Sequence, residues 1–312
     1  MLKSIALLFS IIILIGACAP GPQNIQPGGR AVLTLQVIDV IGPLVDGTRP
    51  LSSPRGVAVN QVKDIFIADY GNDRVVKLDS THAFIDEVGG FGSGDYSLSG
   101  PLKIALDNVS NFYVVDSGNH RIVRFDRLMN FVSSSDGYWN DQEVNFIRPL
   151  SVDVNDRGEL FVGDEGLGAC YKLDQFFNYI FEFGGRDDIQ SVYSPVDINC
   201  VDNRQIYVAD HDHGLVFVFD DYGMYRRSIG EKILKQPTGV AVSSQGGIWV
   251  TDEGTGFLYC FDLNGREIFR WNGEGSNQLY RPSGLTIDDD GYLYIVDSQT
   301  SRIFVIRPIA GD

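Results

Sequence analysis

The chain has 312 residues, of which 44% are hydrophobic and 21% are charged, and this composition excludes an intrinsically disordered protein. It carries 41 Asp and Glu residues against 25 Lys and Arg residues, so its formal net charge is −16. Such a surface repels the phosphates of nucleic acids and the headgroups of anionic lipids. We therefore expect no nucleic acid partner, and any membrane attachment must come from a feature other than surface charge.

The N-terminal segment has the features of an export signal. Lys3 precedes an almost wholly apolar stretch over residues 5–15, which is too short for a comfortable membrane span. Small residues then lead to a cysteine, in the order Ile15-Gly16-Ala17-Cys18. This order resembles the lipobox of bacterial lipoproteins, in which the peptide is cut before the cysteine and the cysteine carries the lipid. An ordinary secretory signal with an incidental cysteine is the alternative.

The lipobox resemblance implies a signal peptide over residues 1–17 and lipidation of Cys18. Residues 18–30 are rich in Pro, Gly and Gln, which is typical of a flexible tether. Ala19 stands where Asp marks lipoproteins that stay in the inner membrane. The resemblance thus implies an exported protein, held by its lipid at the cell envelope, and at the outer membrane if the cell is Gram-negative.

A repeat organises the remaining residues, 31–312, which we expect to form a single domain. Six prolines recur at intervals of 42 to 48 residues, and an aspartate follows each of them after 15 residues. An aromatic residue stands three positions before each aspartate, and apolar residues alternate after each proline as in a strand. The prolines are Pro54, Pro101, Pro149, Pro195, Pro237 and Pro282.

Each repeat predicts four short strands, and units of this kind arranged radially form a β-propeller. Strand a follows the proline, strand b ends at the aspartate, strand c follows a turn, and strand d ends at a glycine. The sixth repeat lacks strand d, whereas the β-rich segment Leu33–Gly42 is unassigned at the other end of the chain. The sequence therefore predicts an all-β, six-bladed β-propeller of four-stranded blades, with the N-terminal strand completing the last blade. We expect it to be monomeric.

The repeats resemble the NHL repeat. The resemblance is clear in Pro54-Arg55-Gly56-Val57-Ala58-Val59 and clearest in Tyr113-Val114-Val115-Asp116-Ser117-Gly118-Asn119-His120-Arg121-Ile122, and it covers residues 33–307. The NHL family includes protein-binding scaffolds, sensor domains, RNA-binding modules and a few lyases and hydrolases. The resemblance consequently predicts the fold without fixing the function.

The repeated aspartates are expected to be structural. An arginine follows five residues after Asp69, Asp116 and Asp297, and a carboxylate that caps the turn and pairs with this arginine would fix strand b to strand c. The full set is Asp69, Asp116, Asp164, Asp210, Asp252 and Asp297.

Three cysteines follow Cys18. By their repeat positions, Cys170 and Cys200 are small buried hydrophobic residues. Cys260 stands where other blades carry Lys or Arg, so exposure of its thiol is a possibility that the sequence leaves open.

Blades 2 to 5 depart from the repeat at two places that a propeller brings to one face. Near the axis, small residues are replaced by polar ones, and the turn after strand b acquires acids and histidines. We interpret these departures as a polar axial pocket with the candidate members Lys103, Ser151, Asp153, Asp197, Asn199, His211 and His213. Asp153, Asp197 and Asn199 are the candidate ligands of a divalent cation such as Ca²⁺ or Zn²⁺.

Two plainer interpretations stand beside the pocket. The axial groups could line a solvated channel mouth, with Lys103 paired to Asp153 or Asp197. The two histidines could lie in a solvent-exposed turn, since two ligands do not complete a zinc site.

Two classes of function follow. The first is a non-enzymatic scaffold of the cell envelope that presents its loops to an envelope protein or a small ligand. The alternative is a metal-dependent lyase or hydrolase that acts in the axial pocket. No nucleophile elbow, zinc-protease motif, phosphate loop or dinucleotide fingerprint is present in the sequence, so no catalytic residue can be named.

Overall fold

The structure, a computed structural model, describes residues 33–310 except residues 46, 48, 139–144, 186–190 and 203. Over these ranges the chain forms six sheets, each of four antiparallel strands, arranged as the blades of a propeller. The predicted fold is confirmed. The predicted signal peptide and the whole of the predicted tether, including Cys18, lie outside the described residues. Within the described ranges, none of the helices has the length and apolarity that a membrane span requires.

The strands are numbered in chain order, and the strands of a blade are called a to d from the axis outward. Blades 1 and 2 contain β2 (Gly56–Val59), β3 (Ile65–Asp69), β4 (Arg74–Leu78) and β5 (Phe84–Gly89), then β6 (Pro101–Leu106), β7 (Phe112–Asp116), β8 (Arg121–Phe125) and β9 (Phe131–Ser135). Blades 3 and 4 contain β10 (Pro149–Val154), β11 (Leu160–Asp164), β12 (Ala169–Leu173) and β13 (Tyr179–Phe183), then β14 (Pro195–Val201), β15 (Gln205–Asp210), β16 (Leu215–Asp220) and β17 (Tyr225–Ile229). Blades 5 and 6 contain β18 (Pro237–Val242), β19 (Ile248–Asp252), β20 (Phe257–Phe261) and β21 (Glu267–Trp271), then β22 (Pro282–Ile287), β23 (Leu293–Asp297), β24 (Arg302–Ala310) and β1 (Leu33–Ile41). Short 3₁₀ turns occupy Tyr70–Asn72, Ser117–Asn119 and Gly275–Asn277.

The two ends of the chain close the ring within blade 6. β1 pairs antiparallel with β24, from Leu33 opposite Ala310 to Ile41 opposite Ile303. This pairing supplies the fourth strand that the last repeat lacks, as the sequence predicted. It leaves no sheet open between the first and last repeats.

The space between blades is filled by the residues that the repeat placed in the core. The six aromatics three positions before the aspartates are 0 to 6% exposed, and they are Phe66, Tyr113, Phe161, Tyr207, Trp249 and Tyr294. In blades 1, 2 and 3 a cation from strand c lies over this ring, as Lys77 does over Phe66 at 5.3 Å. The apolar stem of such a side chain is buried while its charge contacts the π face.

The structure corrects one cysteine prediction and decides the exposure of Cys260, which the sequence left open. Cys260 is only 1% exposed, because its register opposite Trp249 is the same buried position between blades that Lys77 occupies in blade 1. Cys200 is half-buried rather than buried, because it lines an open cavity formed by strand ends and turns of blades 3, 4 and 5. Cys170 is buried as expected, and all three thiols are free.

Each repeat aspartate fixes the loop that enters its own blade. All six are 0% exposed, and each accepts a backbone N–H from the residue 17 positions before it, at 2.5 to 2.9 Å. The predicted ion pairs form between Asp69 and Arg74 and between Asp116 and Arg121. Asp297 and Arg302 are strand partners without an ion pair, because the Thr300 hydroxyl and N–H bind that carboxylate instead.

Candidate functional site

A narrow polar cavity of about 100 Å³ lies on the propeller axis and is lined by strand a of all six blades. Four predicted pocket residues line it: Lys103, Asp153, Asp197 and Asn199. Ser151 does not, because its side chain is fully buried and its hydroxyl donates to the carbonyl of Pro195 at 2.7 Å.

Lys103 crosses the axis from blade 2 and closes this cavity towards one face. Its ammonium donates to the carbonyl of Thr238 at 2.9 Å and to that of Ser283 at 3.2 Å, and it pairs with Asp197 at 3.2 Å. Burial lowers the pKa of Lys103 and raises the pKa of Asp197, and the opposite charge of each partner offsets part of the shift. The pairing matches the plainer interpretation, in which Lys103 has a carboxylate partner at the axis.

The other axial groups bind the neighbouring blade. Asp153 accepts the backbone N–H of Cys200 at 2.6 Å, and Asn199 accepts that of Val242 at 3.0 Å. The second oxygen of Asp197 accepts the N–H of Val240 at 2.9 Å. Strand a is the edge strand of each blade nearest the axis. Its N–H groups that point away from strand b have no partner within the sheet and need an acceptor from elsewhere.

Asp153 is the most strongly perturbed of these acids. Burial raises its pKa to about 7, against the opposing effect of the backbone N–H groups that it accepts, and the Asp197 charge raises it further. Its carboxyl group therefore titrates near neutrality. Among the described residues, no three His, Cys, Asp or Glu side chains come together in a group that could hold a metal ion.

A second, wider cavity of about 330 Å³ opens on the face that carries the turns from strand b to strand c. We call this face the upper face and this cavity the funnel. All six blades contribute to its wall, and Lys103 forms part of its floor between it and the axial cavity. The lining residues with charged or polar side chains are Arg55, Tyr70, Lys103, Arg148, Glu165, Ser194, His211, Asp212, Thr238, Glu253 and Ser283.

His211 lies in the funnel rather than with the axial acids. Its Nε2 is 3.2 Å from Glu253 and its Nδ1 is 3.0 Å from Asp212, so a protonated imidazole has two acceptors. The hydrogen bond to Glu253 raises the pKa of His211 to about 9, and it lowers the pKa of Glu253 to about 2. Arg281 donates to the other Glu253 oxygen at 2.7 Å.

The two predicted histidines are separated by the turn. His213 stacks on Tyr193 at 4.3 Å between ring centroids and lies 3.2 Å from Asp210, and it lines neither cavity. The expectation that both histidines join one pocket is therefore wrong, because Gly214 in the left-handed conformation (φ +64°) turns the chain back towards the core after His213.

Sequence reasoning missed the arginines of the upper face. Arg148 pairs with Glu165, which also accepts the Ser194 hydroxyl at 2.9 Å. Arg55 lies over the ring of Tyr70 at 5.5 Å and has no ion-pair or hydrogen-bond partner for its side chain among the described residues. The sequence does hold a signal for this face. The two arginines stand next to repeat prolines, and the acids Glu165 and Glu253 directly follow repeat aspartates.

Residues 234–261 match the NHL repeat, and this segment covers the last turn before blade 5 and its strands a to c. This chain is a six-bladed β-propeller that carries an NHL repeat. Over 139 residues, or 43% of its length, it is 28% identical to Protein brain tumor of Drosophila melanogaster. Over 132 residues, or 42% of its length, it is 30% identical to the human E3 ubiquitin-protein ligase NHLRC1. The chain spans only 13% and 33% of the lengths of these two relatives.

Solved propellers of other sequence share the fold. A streptogramin B lyase superposes with a TM-score of 0.62 at 11% identity, over 89% of this chain and 98% of that one. Hydrazine synthase of Kuenenia stuttgartiensis superposes with a TM-score of 0.58 at 11% identity, over 86% of this chain and 99% of that one. At this identity the likeness concerns the fold, and activity has to be argued from the site.

Proposed function

We propose that this propeller is a binding scaffold of the cell envelope, which uses its upper face to hold a protein partner. The observation that carries the proposal is a set of exposed side chains around the funnel rim. Tyr193, Tyr280 and Ile147 are 52, 51 and 52% exposed, and each directly precedes a residue of the funnel network. Tyrosine and arginine are the residue types enriched at the energetic centres of protein interfaces.

The backbone that presents these side chains is held in place. The N–H groups of Ile147, Tyr193 and Tyr280 are the ones that the buried aspartates of blades 3, 4 and 6 accept. A side chain on a fixed backbone loses less conformational entropy when it is buried by a partner. The NHL repeat itself is consistent with a protein-interaction scaffold.

Site-specific photo-cross-linking in cells tests the upper face. A photoreactive residue placed at Tyr193 or Tyr280 should give the same discrete adduct, and one at Tyr222 should not. Tyr222 is a matched control, because it is 80% exposed and lies in the turn between strands c and d on the opposite face. Equal adducts from both faces, or none from the upper face, would contradict the proposal.

The envelope anchor is a separate part of the proposal, and it rests on the sequence Ile15-Gly16-Ala17-Cys18. Several acyl chains on one residue anchor a protein stably, whereas a single chain is marginal. Replacing Cys18 with Ser should abolish labelling by radioactive palmitate and release the chain from the membrane fraction. Retention of label in Cys18→Ser would remove the anchor from the proposal and leave the upper face unaffected.

The alternative of a metal-dependent lyase or hydrolase has less support from the axial geometry. Both Asp197 oxygens and the Asn199 side-chain oxygen already accept hydrogen bonds from the chain, and Asp153 accepts one from Cys200. A cation there would have to displace contacts that join neighbouring blades. Metal analysis by mass spectrometry after dialysis against Ca²⁺ or Zn²⁺ checks this: one equivalent that Asp197→Asn removes would favour the enzyme.

A further inference from the structure

Arg55 is the charged funnel residue that forms no ion pair among the described residues, and the acid whose charge acts on it, Glu253, is already paired with His211 and Arg281. Lys103 pairs with Asp197, Arg148 with Glu165, and His211 with Glu253 and Asp212, whereas the Arg55 side chain has no such partner among the described residues. Its Nε is buried without a hydrogen-bond acceptor. In a chain with 41 acidic and 25 basic residues, an arginine left unpaired in a cavity is unexpected on composition alone.

The surroundings hold this guanidinium in place. Its guanidinium carbon lies over the ring of Tyr70, 5.5 Å from the ring centroid, and Arg55 directly precedes strand a, with its backbone N–H bound to the carbonyl of Ala68 at 2.9 Å. A guanidinium is planar and presents its N–H groups as a fixed fork, so a contact with an aromatic ring still leaves N–H groups available to an acceptor. Arg55 itself lines the funnel.

When His211 is protonated, the charged residues that line the funnel, together with their ion-pair partners Asp197 and Arg281, carry one excess positive charge. With His211 protonated, the cations are Arg55, Lys103, Arg148, His211 and Arg281, and the anions that contact them are Glu165, Asp197, Asp212 and Glu253. One bound monoanion would neutralise this excess positive charge. A phosphate dianion would overcompensate it and would lie in the same cavity as Glu165 and Glu253.

We infer that the funnel binds a single carboxylate group through the guanidinium of Arg55. The inference rests on the proposed function of the upper face as a binding surface. A planar carboxylate matches the fork of the guanidinium with two parallel hydrogen bonds. The carboxylate can come from an acidic side chain of the protein partner or from a small free acid, and a cavity of about 330 Å³ has room for either.

Titration calorimetry of the full chain in neutral detergent tests the inference with defined probes. N-acetyl-glutamate amide represents an acidic side chain, acetate and propionate represent free acids, and N-acetyl-glutamine amide is the uncharged control. We expect saturable binding of at least one carboxylate probe, and about tenfold weaker binding of the same probe by Arg55→Gln, as the loss of a charged hydrogen bond predicts. Tighter binding of the amide assigns the site to a partner side chain, and tighter binding of a free acid assigns it to a small molecule.

Two variants separate a binding role from a structural one. Arg55→Lys keeps the charge but not the fork, so it should retain part of the affinity. The double variant Arg226→Gln with Asp220→Asn removes an ion pair at the turn between strands c and d of blade 4, on the opposite face, without changing the net charge. It should alter the affinity by less than about threefold, as expected for a pair outside the funnel.

The inference is overturned if no carboxylate probe saturates the wild-type chain, if Arg55→Gln binds as wild type does, or if the glutamine amide binds as tightly as the glutamate amide. None of these results affects the cross-linking at Tyr193 and Tyr280. Cross-links that persist in Arg55→Gln would leave the upper-face scaffold in place while the carboxylate site fails.

Discussion

The axial cavity and the funnel adjoin at Lys103, yet their polar side chains bind different partners. At the axis, Asp153, Asp197 and Asn199 bind backbone N–H groups of the next blade, so polarity there completes the fold. In the funnel, side chains pair with one another, within blade 3 and from blade 5 to blades 4 and 6, and Arg55 forms no ion pair among the described residues. Polar residues near a propeller axis can thus serve the fold alone. A charged side chain without an ion pair on the adjacent face is the better indication of a ligand site.

The sharpest test of the axial side of this comparison is Lys103→Met. The substitution leaves Asp197 buried with its partner removed, and breaking a buried pair in this way costs about 3–5 kcal/mol. Denaturant unfolding at pH 8 should show that loss. Lys103→Met combined with Asp197→Asn should recover a large part of it, and a single variant as stable as wild type would show that the pair contributes little.

The next effect in size is the pH dependence that Asp153 gives to stability. Its folded pKa of about 7 lies above the ordinary value of 3.8, so between these values the folded chain holds a proton that the unfolded chain has lost. The free energy of unfolding should therefore fall as pH rises from 4 to 7, by at most about 1.4 kcal/mol per pH unit, and then level off. Asp153→Asn should lack this component in urea melts across the range, and a pH-independent difference between the two chains would contradict the assignment.

The smallest effect on stability is expected in the funnel, from Glu253→Gln. The His211 and Glu253 side chains are partly exposed, so their pair contributes less than about 1 kcal/mol. Because the folded pKa of His211 is raised, its contribution is present below pH 6.5 and is lost as pH rises through 9. Titration of the imidazole by NMR should show a pKa of about 9 in wild type and a lower value in Glu253→Gln; an unchanged value would mean that Asp212 alone holds the proton.

The fold could be predicted from the sequence because its determinants are local and repeated. The 15-residue interval from proline to aspartate spans one hairpin, and in five of the six blades the two residues are strand partners, as Pro149 and Asp164 are. The closing strand could be predicted because the sixth repeat lacks strand d and the β-rich segment Leu33–Gly42 belongs to no repeat. The signal peptide, the tether, Cys18 lipidation and the absence of a nucleic acid partner stay predictions.

The site was less accessible to sequence reasoning, because its contacts cross between blades. Asp153 and Asn199 stood out as departures from small residues, but a departure does not reveal which backbone N–H the side chain will meet. His211 and His213 were grouped because both stand in the turn after strand b of blade 4, and the turn ending at Gly214 separates their side chains. Arg55 was passed over because it belongs to blade 1, which otherwise follows the repeat.

The seam in blade 6 also sets an order for folding. β1 is synthesised before the other strands, but its partner β24 follows about 270 residues later. The paired residues run from Leu33 opposite Ala310 to Ile41 opposite Ile303. Pairings this distant in sequence form slowly, because the intervening chain must be ordered first. Until then the apolar side chains of β1 that pack on blade 6, Leu35, Val37 and Val40, have no sheet to cover them, so this strand needs protection from aggregation during biosynthesis.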